Sequence, residues 1–186
     1  MSDSVMVWLI IAVLLFWAMG AYNRLIRLRS RAIVAFGALE GLFNRYLSLV
    51  QVICTDTGAG SNASDADQAG DTAGDACAGL SAAAQQFNTS LKVAHAKPLS
   101  RLRISALKTA YETLCMSWLR LRNLPPDLAG AALPDGLQVQ WEQLTVQADA
   151  ARAEFNGQVV NYNQAIDQFP ALMLAWLFGF KPAETI

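Results

Sequence analysis

Val5-Met-Val-Trp8-Leu-Ile-Ile-Ala-Val-Leu-Leu-Phe16-Trp17-Ala-Met-Gly-Ala21, followed at once by Tyr22-Asn-Arg24-Leu-Ile-Arg27-Leu-Arg29-Ser-Arg31, is the stretch on which the fold turns. The first part is uncharged for about 17 residues, near the lower length limit for a bilayer-crossing helix. Val5, Leu9, Ile10, Leu14 and Phe16 supply its apolar body. Trp8, Trp17 and Tyr22 stand near its ends, where rings with one polar edge favour the headgroup level. Before it come Met1-Ser2-Asp3-Ser4, an acid and no base. A cleavable secretory signal carries its positive charge ahead of the apolar core, so despite the small residues Ala18-Met-Gly-Ala21 the run reads as a retained anchor. Arg24, Arg27, Arg29 and Arg31 lie on the other side and set the orientation. The N-terminus is expected outside and everything after Tyr22 in the cytoplasm, as a single pass of the bacterial inner membrane. Membrane lipids are then the first expected partner, with each arginine near anionic headgroups contributing about 1 kcal/mol.

The helix does not stop at the arginines. No proline occurs before Pro98, and apolar residues recur in steps of three and four: Leu25, Leu28, Ala32, Ala35, Leu39, Leu42, Tyr46, Leu49, Ile53. That period keeps one stripe on one helix face. One helix is therefore expected from Val5 to Cys54. Gly37 and Gly41 each weaken it by roughly 1 kcal/mol relative to Ala, unless they let a neighbouring helix approach closely.

Residues 55–76 are of another kind, with small residues, five aspartates, no base and no large hydrophobe. Such a segment buries too little surface to offset its ordering entropy and reads as a flexible acidic loop or a late helix start. As a calcium loop it fails: Ala69 stands at the fifth position and Ala76 where a bidentate Glu belongs. A second stripe follows, Cys77, Leu80, Ala84, Phe87, Leu91, Ala94, ending before Pro98. A third begins after Ser100, an expected N-cap: Ile104, Leu107, Tyr111, Leu114, Trp118, Leu121. The fourth is Leu137, Trp141, Leu144, Ala148, Ala151, Phe155, Tyr162, Ile166, Phe169, with Pro170 after it. The expected fold is all-α: an N-terminal transmembrane helix (1–22) continuous with an antiparallel four-helix up-down bundle (23–186), plus a short C-terminal helix. The tail Ala171–Phe180 is too short to span a bilayer and too apolar for water. In an up-down bundle the fourth helix ends beside the anchor, so the tail is expected to cap that end and touch lipid.

Little chemistry is visible. The formal net charge of −1 over 186 residues lacks the basic surplus of a nucleic-acid binder. Cys54, Cys77 and Cys115 are odd in number and widely spaced, which indicates neither a zinc site nor a disulfide framework. Reduced thiols fit a cytoplasmic bundle, with Cys77 and Cys115 as small core residues. His95 sits at a helix end beside Lys97, where a cation suits the helix dipole. No phosphate loop, nucleophile elbow or zincin motif occurs, and no cofactor is expected. The amides Asn156, Gln158, Asn161, Asn163 and Gln164 leave two readings open, a buried polar network or a solvated face.

Two motifs at the C-terminal end are more specific. Tyr162-Asn163-Gln-Ala165-Ile166-Asp-Gln-Phe169-Pro170 is followed by Phe178-Gly179-Phe180-Lys-Pro182-Ala-Glu184. With Tyr22-Asn23-Arg24 after the anchor, they resemble the LemA family of bacterial membrane-anchored helical proteins. Asn44-Arg45-Tyr46-Leu-Ser-Leu-Val50 and Leu124-Pro-Pro-Asp-Leu128 only echo the family pattern, which marks a divergent member. The resemblance implies an anchor and a helical bundle, and no catalysis. The expected function is a scaffold or adaptor of the cell envelope that binds other proteins, of unknown identity, with a second copy of the chain as one candidate. The alternative is a subunit of a larger membrane assembly or channel; an enzyme of unrecognised type ranks last.

Overall fold

In the computed structural model, which describes residues 2–60, 68–124, 133–169 and 171–186, five helices follow in order: α1 Ser2–Gly60, α2 Gln68–Ala96, α3 Arg101–Arg122, α4 Asp135–Asp167 and α5 Ala171–Phe178. Side chains are described in α1 from Val5 to Thr55 and in α2 from Gly74 onward. Among the described residues there is no strand.

With no proline to remove a backbone hydrogen bond, α1 continues unbroken for 59 residues. Gly37 and Gly41 do not mark a close approach, because a Cβ at either would meet nothing within 4 Å. Helix covers more of 55–76 than the acidic loop expected there: α1 reaches Gly60 and α2 begins at Gln68. Alanines favour helix, and the Thr55 hydroxyl donates back to the Gln51 carbonyl at 2.7 Å. Residues 61–67 lie outside the described part of the chain, as do 125–132 and Pro170.

The register is antiparallel throughout. Phe43 of α1 meets Phe87 of α2 with ring centroids 5.1 Å apart. Phe87 meets Tyr111 of α3 at 5.9 Å. On the other side of α1, Tyr46 meets Trp141 of α4 at 4.7 Å and Phe36 meets Phe155 at 5.7 Å. Helices α3 and α4 join through large side chains: Trp118 and Trp141 stack at 4.2 Å and 9°, and the Arg152 guanidinium lies 5.4 Å from the Tyr111 ring centre. The α2–α3 hairpin is shorter than the α1–α4 pair. It turns at residues 97–100, where His95 Nδ1 lies 2.8 Å from Glu40 Oε2. Four helices therefore lie side by side only beyond Phe36. Between there and the apolar end, α1 and α4 continue as a pair and leave a step beneath the hairpin turn.

The core follows the stripes closely. Every stripe residue expected in α2 and α3 is buried. In α1 the buried face is wider, taking in Phe36, Phe43 and Val50, because α1 packs against both α2 and α4. Each such aromatic or aliphatic side chain contributes about 1.5–3 kcal/mol by leaving water. In α4, Leu144 and Ala151 are half-buried and Phe169, expected at the end of the core stripe, is exposed. Its helix has already ended at Asp167, and its ring turns to Trp17 instead, at 5.6 Å. Ser100 does precede α3, but only through its backbone: its carbonyl accepts from Arg103 and Ile104 N–H, and its hydroxyl makes no cap bond.

Candidate functional site

The apolar end of the bundle holds the feature with most functional content. Helix α5 is built inside out. Ala171 and Ala175, four residues apart on one face, are its buried residues. Leu172, Met173, Trp176 and Leu177 point away from the protein, and Trp176 is 86% exposed. A helix facing water places its large apolar residues inward; this one uses small residues inward to lie close to α1 and α4 and presents a large apolar face outward. That face continues the surface of α1, where Val5, Trp8, Leu9, Ile10, Leu14 and Phe16 are all exposed. The apolar part of α1 is long enough to cross a membrane, and none of it is buried within the chain. Tyr22 ties the two elements together, with Phe178 at 5.0 Å and Phe180 at 6.2 Å.

Gly179 ends α5 with φ of +69°, the left-handed conformation that side chains resist. The Phe180 N–H then reaches back to the Ala175 carbonyl at 2.9 Å, the six-to-one bond of a Schellman cap. The chain therefore turns at Gly179. The turn sends residues 181–186 back along α4, into the step under the α2–α3 hairpin.

There the tail is held by a pair of amide clamps. Asn163 Nδ2 donates to the Ala183 carbonyl and the Ala183 N–H donates to Asn163 Oδ1, both at 2.9 Å. Two turns away, Asn156 does the same with Ile186, again at 2.9 Å in both directions. Seven residues of α4, about 10 Å, match three residues of the tail, so the tail runs nearly fully extended. Tyr162 adds a hydroxyl bond to the Lys181 carbonyl at 3.3 Å, and Glu184 lies 3.6 Å from Arg101 at the start of α3. Ala183 and Ile186 are buried. The open question about the amides is settled residue by residue: Asn156 and Asn163 are structural pairs, Gln158 bonds Glu154 at 2.8 Å, and Asn161 and Gln164 face solvent.

The two C-terminal motifs thus meet. Tyr162 and Asn163 grip the chain just after Gly179 and Phe180, while Ala165 and Ile166 are buried in the adjoining core. Pro182 is exposed. Sequence reasoning missed Ala183 and Ile186 as the clamped residues, because their bonds go through backbone atoms that any residue type carries.

The arginines surround this end. Arg29 sits 5.9 Å from the Phe180 ring centre. Arg24 lines a cleft of about 350 Å³ with Phe16, Trp17, Gly20, Gln168 and Phe169. Arg27 and Arg31 are exposed. Burial pushes the Tyr162 phenol above its usual range, and the nearby Arg29 charge opposes that shift.

Elsewhere the polar groups fasten helices to one another. His95 reaches across to Glu40 rather than serving its own helix end alone. The Tyr46 hydroxyl donates to Thr145 Oγ1 at 2.9 Å, and Thr145 donates to the Trp141 carbonyl. Burial raises the phenols of both Tyr46 and Tyr111. Cys77 is buried as expected and Cys115 half-buried, but Cys54 and Cys77 are not the isolated thiols their spacing suggested. Their sulfurs are 3.3 Å apart. The register that places Phe43 against Phe87 also places Cys54 against Cys77. Among the described residues, no three His, Cys, Asp or Glu side chains gather as metal ligands.

A family model described as the LemA family matches residues 82–186, which hold the end of α2, all of α3 to α5 and both C-terminal motifs. No curated protein and no solved structure matches the chain.

Proposed function

The chain belongs to the LemA family, and from that premise we propose that it is a single-pass, membrane-anchored helical scaffold of the bacterial cell envelope that holds other proteins rather than catalysing a reaction. The observation that carries this reading is the shared apolar surface of α1 and α5. Two elements far apart in sequence place large apolar side chains side by side at one end of the bundle, with arginines directly behind them. That arrangement matches a bilayer edge: hydrocarbon, then aromatic rings, then anionic headgroups. In this reading the N-terminus lies outside, the bundle stands in the cytoplasm, and α5 lies in the interface next to its own anchor.

The test is cross-linking of the full-length protein in its native membrane, followed by identification of what co-purifies. Discrete cross-linked species with one or a few envelope proteins support the scaffold reading. Recovery of the chain alone, or of abundant proteins at background level, overturns it.

A further inference from the structure

We propose that Cys54 and Cys77 form a reversible disulfide, a covalent staple between the far end of α1 and the start of α2. The geometry is that of a thiol pair held ready. The two Sγ atoms are 3.3 Å apart, and the Cys54 thiol also points at the Cys77 carbonyl at 3.6 Å. Each residue sits on a regular helix in a packed antiparallel pair, so the register holds both thiols in place. Bonding at about 2.05 Å needs an approach of little more than one ångström between sulfurs. Cys115 lies on α3 and takes no part in this contact.

Access is one-sided, which fixes the order of events. Cys54 lines an open cleft of about 430 Å³ between α1 and α2, together with Gln51, Thr55, Ser81 and Gln85. Cys77 is buried behind it. A small disulfide, R–S–S–R, therefore meets Cys54 first. Cys54 gives up its proton, its sulfur attacks one sulfur of the reagent, and R–S⁻ leaves and takes up a proton. The Cys77 sulfur, losing its own proton, then attacks Cys54 Sγ and expels the second R–S⁻, which is protonated in turn. Two protein thiols are oxidised to one disulfide and the reagent is reduced to two R–SH, with no net change in protons. An excess of R–SH runs the exchange backwards.

The reduced pair is protected at neutral pH. Burial, and then the hydrogen bond and proximity of Cys77, push the Cys54 thiol up to about 12. The thiolate is the attacking form, so below that value the reaction should accelerate about tenfold for each unit by which pH rises. In a glutathione-buffered compartment the pair rests reduced and closes under disulfide stress.

The test uses the full-length protein in detergent with oxidised glutathione as the probe, followed by iodoacetamide and peptide mass spectrometry. Cys54 and Cys77 are expected to lose alkylation together and to appear in one linked peptide, while Cys115 stays alkylated and the chain stays monomeric on a non-reducing gel. In Cys54→Ala, Cys77 is expected to remain alkylatable under the same treatment; in Cys115→Ser, the linked peptide is expected to form as before. A glutathione adduct that persists on Cys54 beside a free Cys77 overturns the proposal. So does an intermolecular Cys54 dimer, or independent loss of alkylation at the two sites.

Discussion

Removing one amide clamp isolates what holds the tail. Asn163→Ala deletes two hydrogen bonds to the Ala183 backbone and leaves its N–H and C=O facing a methyl group. At about 0.5–1.5 kcal/mol for each bond, docking of the tail should weaken by about 1–3 kcal/mol. Asn156→Ala should cost the same through Ile186. The sites are two turns, about 10 Å, apart on α4 and share no partner, so the double variant should lose close to the sum. The Arg101–Glu184 pair is well exposed and contributes at most about 1 kcal/mol, so burial of the Ile186 side chain is the main hold that remains. Hydrogen exchange at the Ala183 and Ile186 amides reads the docking free energy directly, at about tenfold per 1.4 kcal/mol. Each single variant should speed exchange at its own partner by roughly 10- to 100-fold. Asn163→Asp should be no better than Asn163→Ala, since it keeps the acceptor but turns an oxygen toward the Ala183 carbonyl. Asn161→Ala, on the solvent face, is the control. Unchanged exchange in the double variant would refute the clamp.

Trp141→Ala or Phe155→Ala should each destabilise the bundle by about 3–5 kcal/mol in chemical denaturation, since both rings are buried against aromatic neighbours; losses under about 1 kcal/mol for both would contradict the packing. Oxidising Cys54 to Cys77 closes a loop spanning 23 positions and should raise stability by up to about 3 kcal/mol, read as an upward shift of the thermal midpoint. Tyr46, Tyr111 and Tyr162 have phenols raised above 10.0 by burial. The folded state then binds protons that the unfolded state has released, so stability should fall as pH rises through 10, and ultraviolet titration should show these phenols ionising only as the bundle unfolds. With the native cysteines replaced, an external thiol reagent should label a Cys at Ser4 and miss one at Ser48; reversed labelling would invert the orientation. Trp176, made the sole tryptophan, should be quenched by quenchers carried on lipid acyl chains, and an unquenched signal would remove α5 from the interface.

The helices were legible because their apolar period is long and uninterrupted, and because prolines mark most of their ends. The placement of the C-terminal tail beside the start of the bundle was legible from up-down connectivity. What escaped followed from three-dimensional register. Cys54 and Cys77 look unrelated in sequence and become neighbours only through the register of α1 against α2. The small side chains of Ala171 and Ala175 carry the packing of α5, and a sequence stripe records only large residues. Phe169 continued the α4 period on paper, but the helix ended two residues before it, and the ring was free to meet Trp17. The step beneath the α2–α3 hairpin depends on a difference in helix length between two hairpins, which no local pattern reports.

The unbroken α1 also acts as a measuring rod. From Tyr22 to Ile53 it extends about 45–50 Å at helical rise, and α4 splints it along most of that length. In the proposed placement the thiol pair is carried at a set height above the bilayer, beyond the reach of headgroup charge at physiological salt. Any change in anchor angle is magnified at that height: a tilt of 10° at Tyr22 would move the tip sideways by about 8 Å over this length. A change in bilayer thickness, which alters how a short span must lean, would thus reach the far end as displacement.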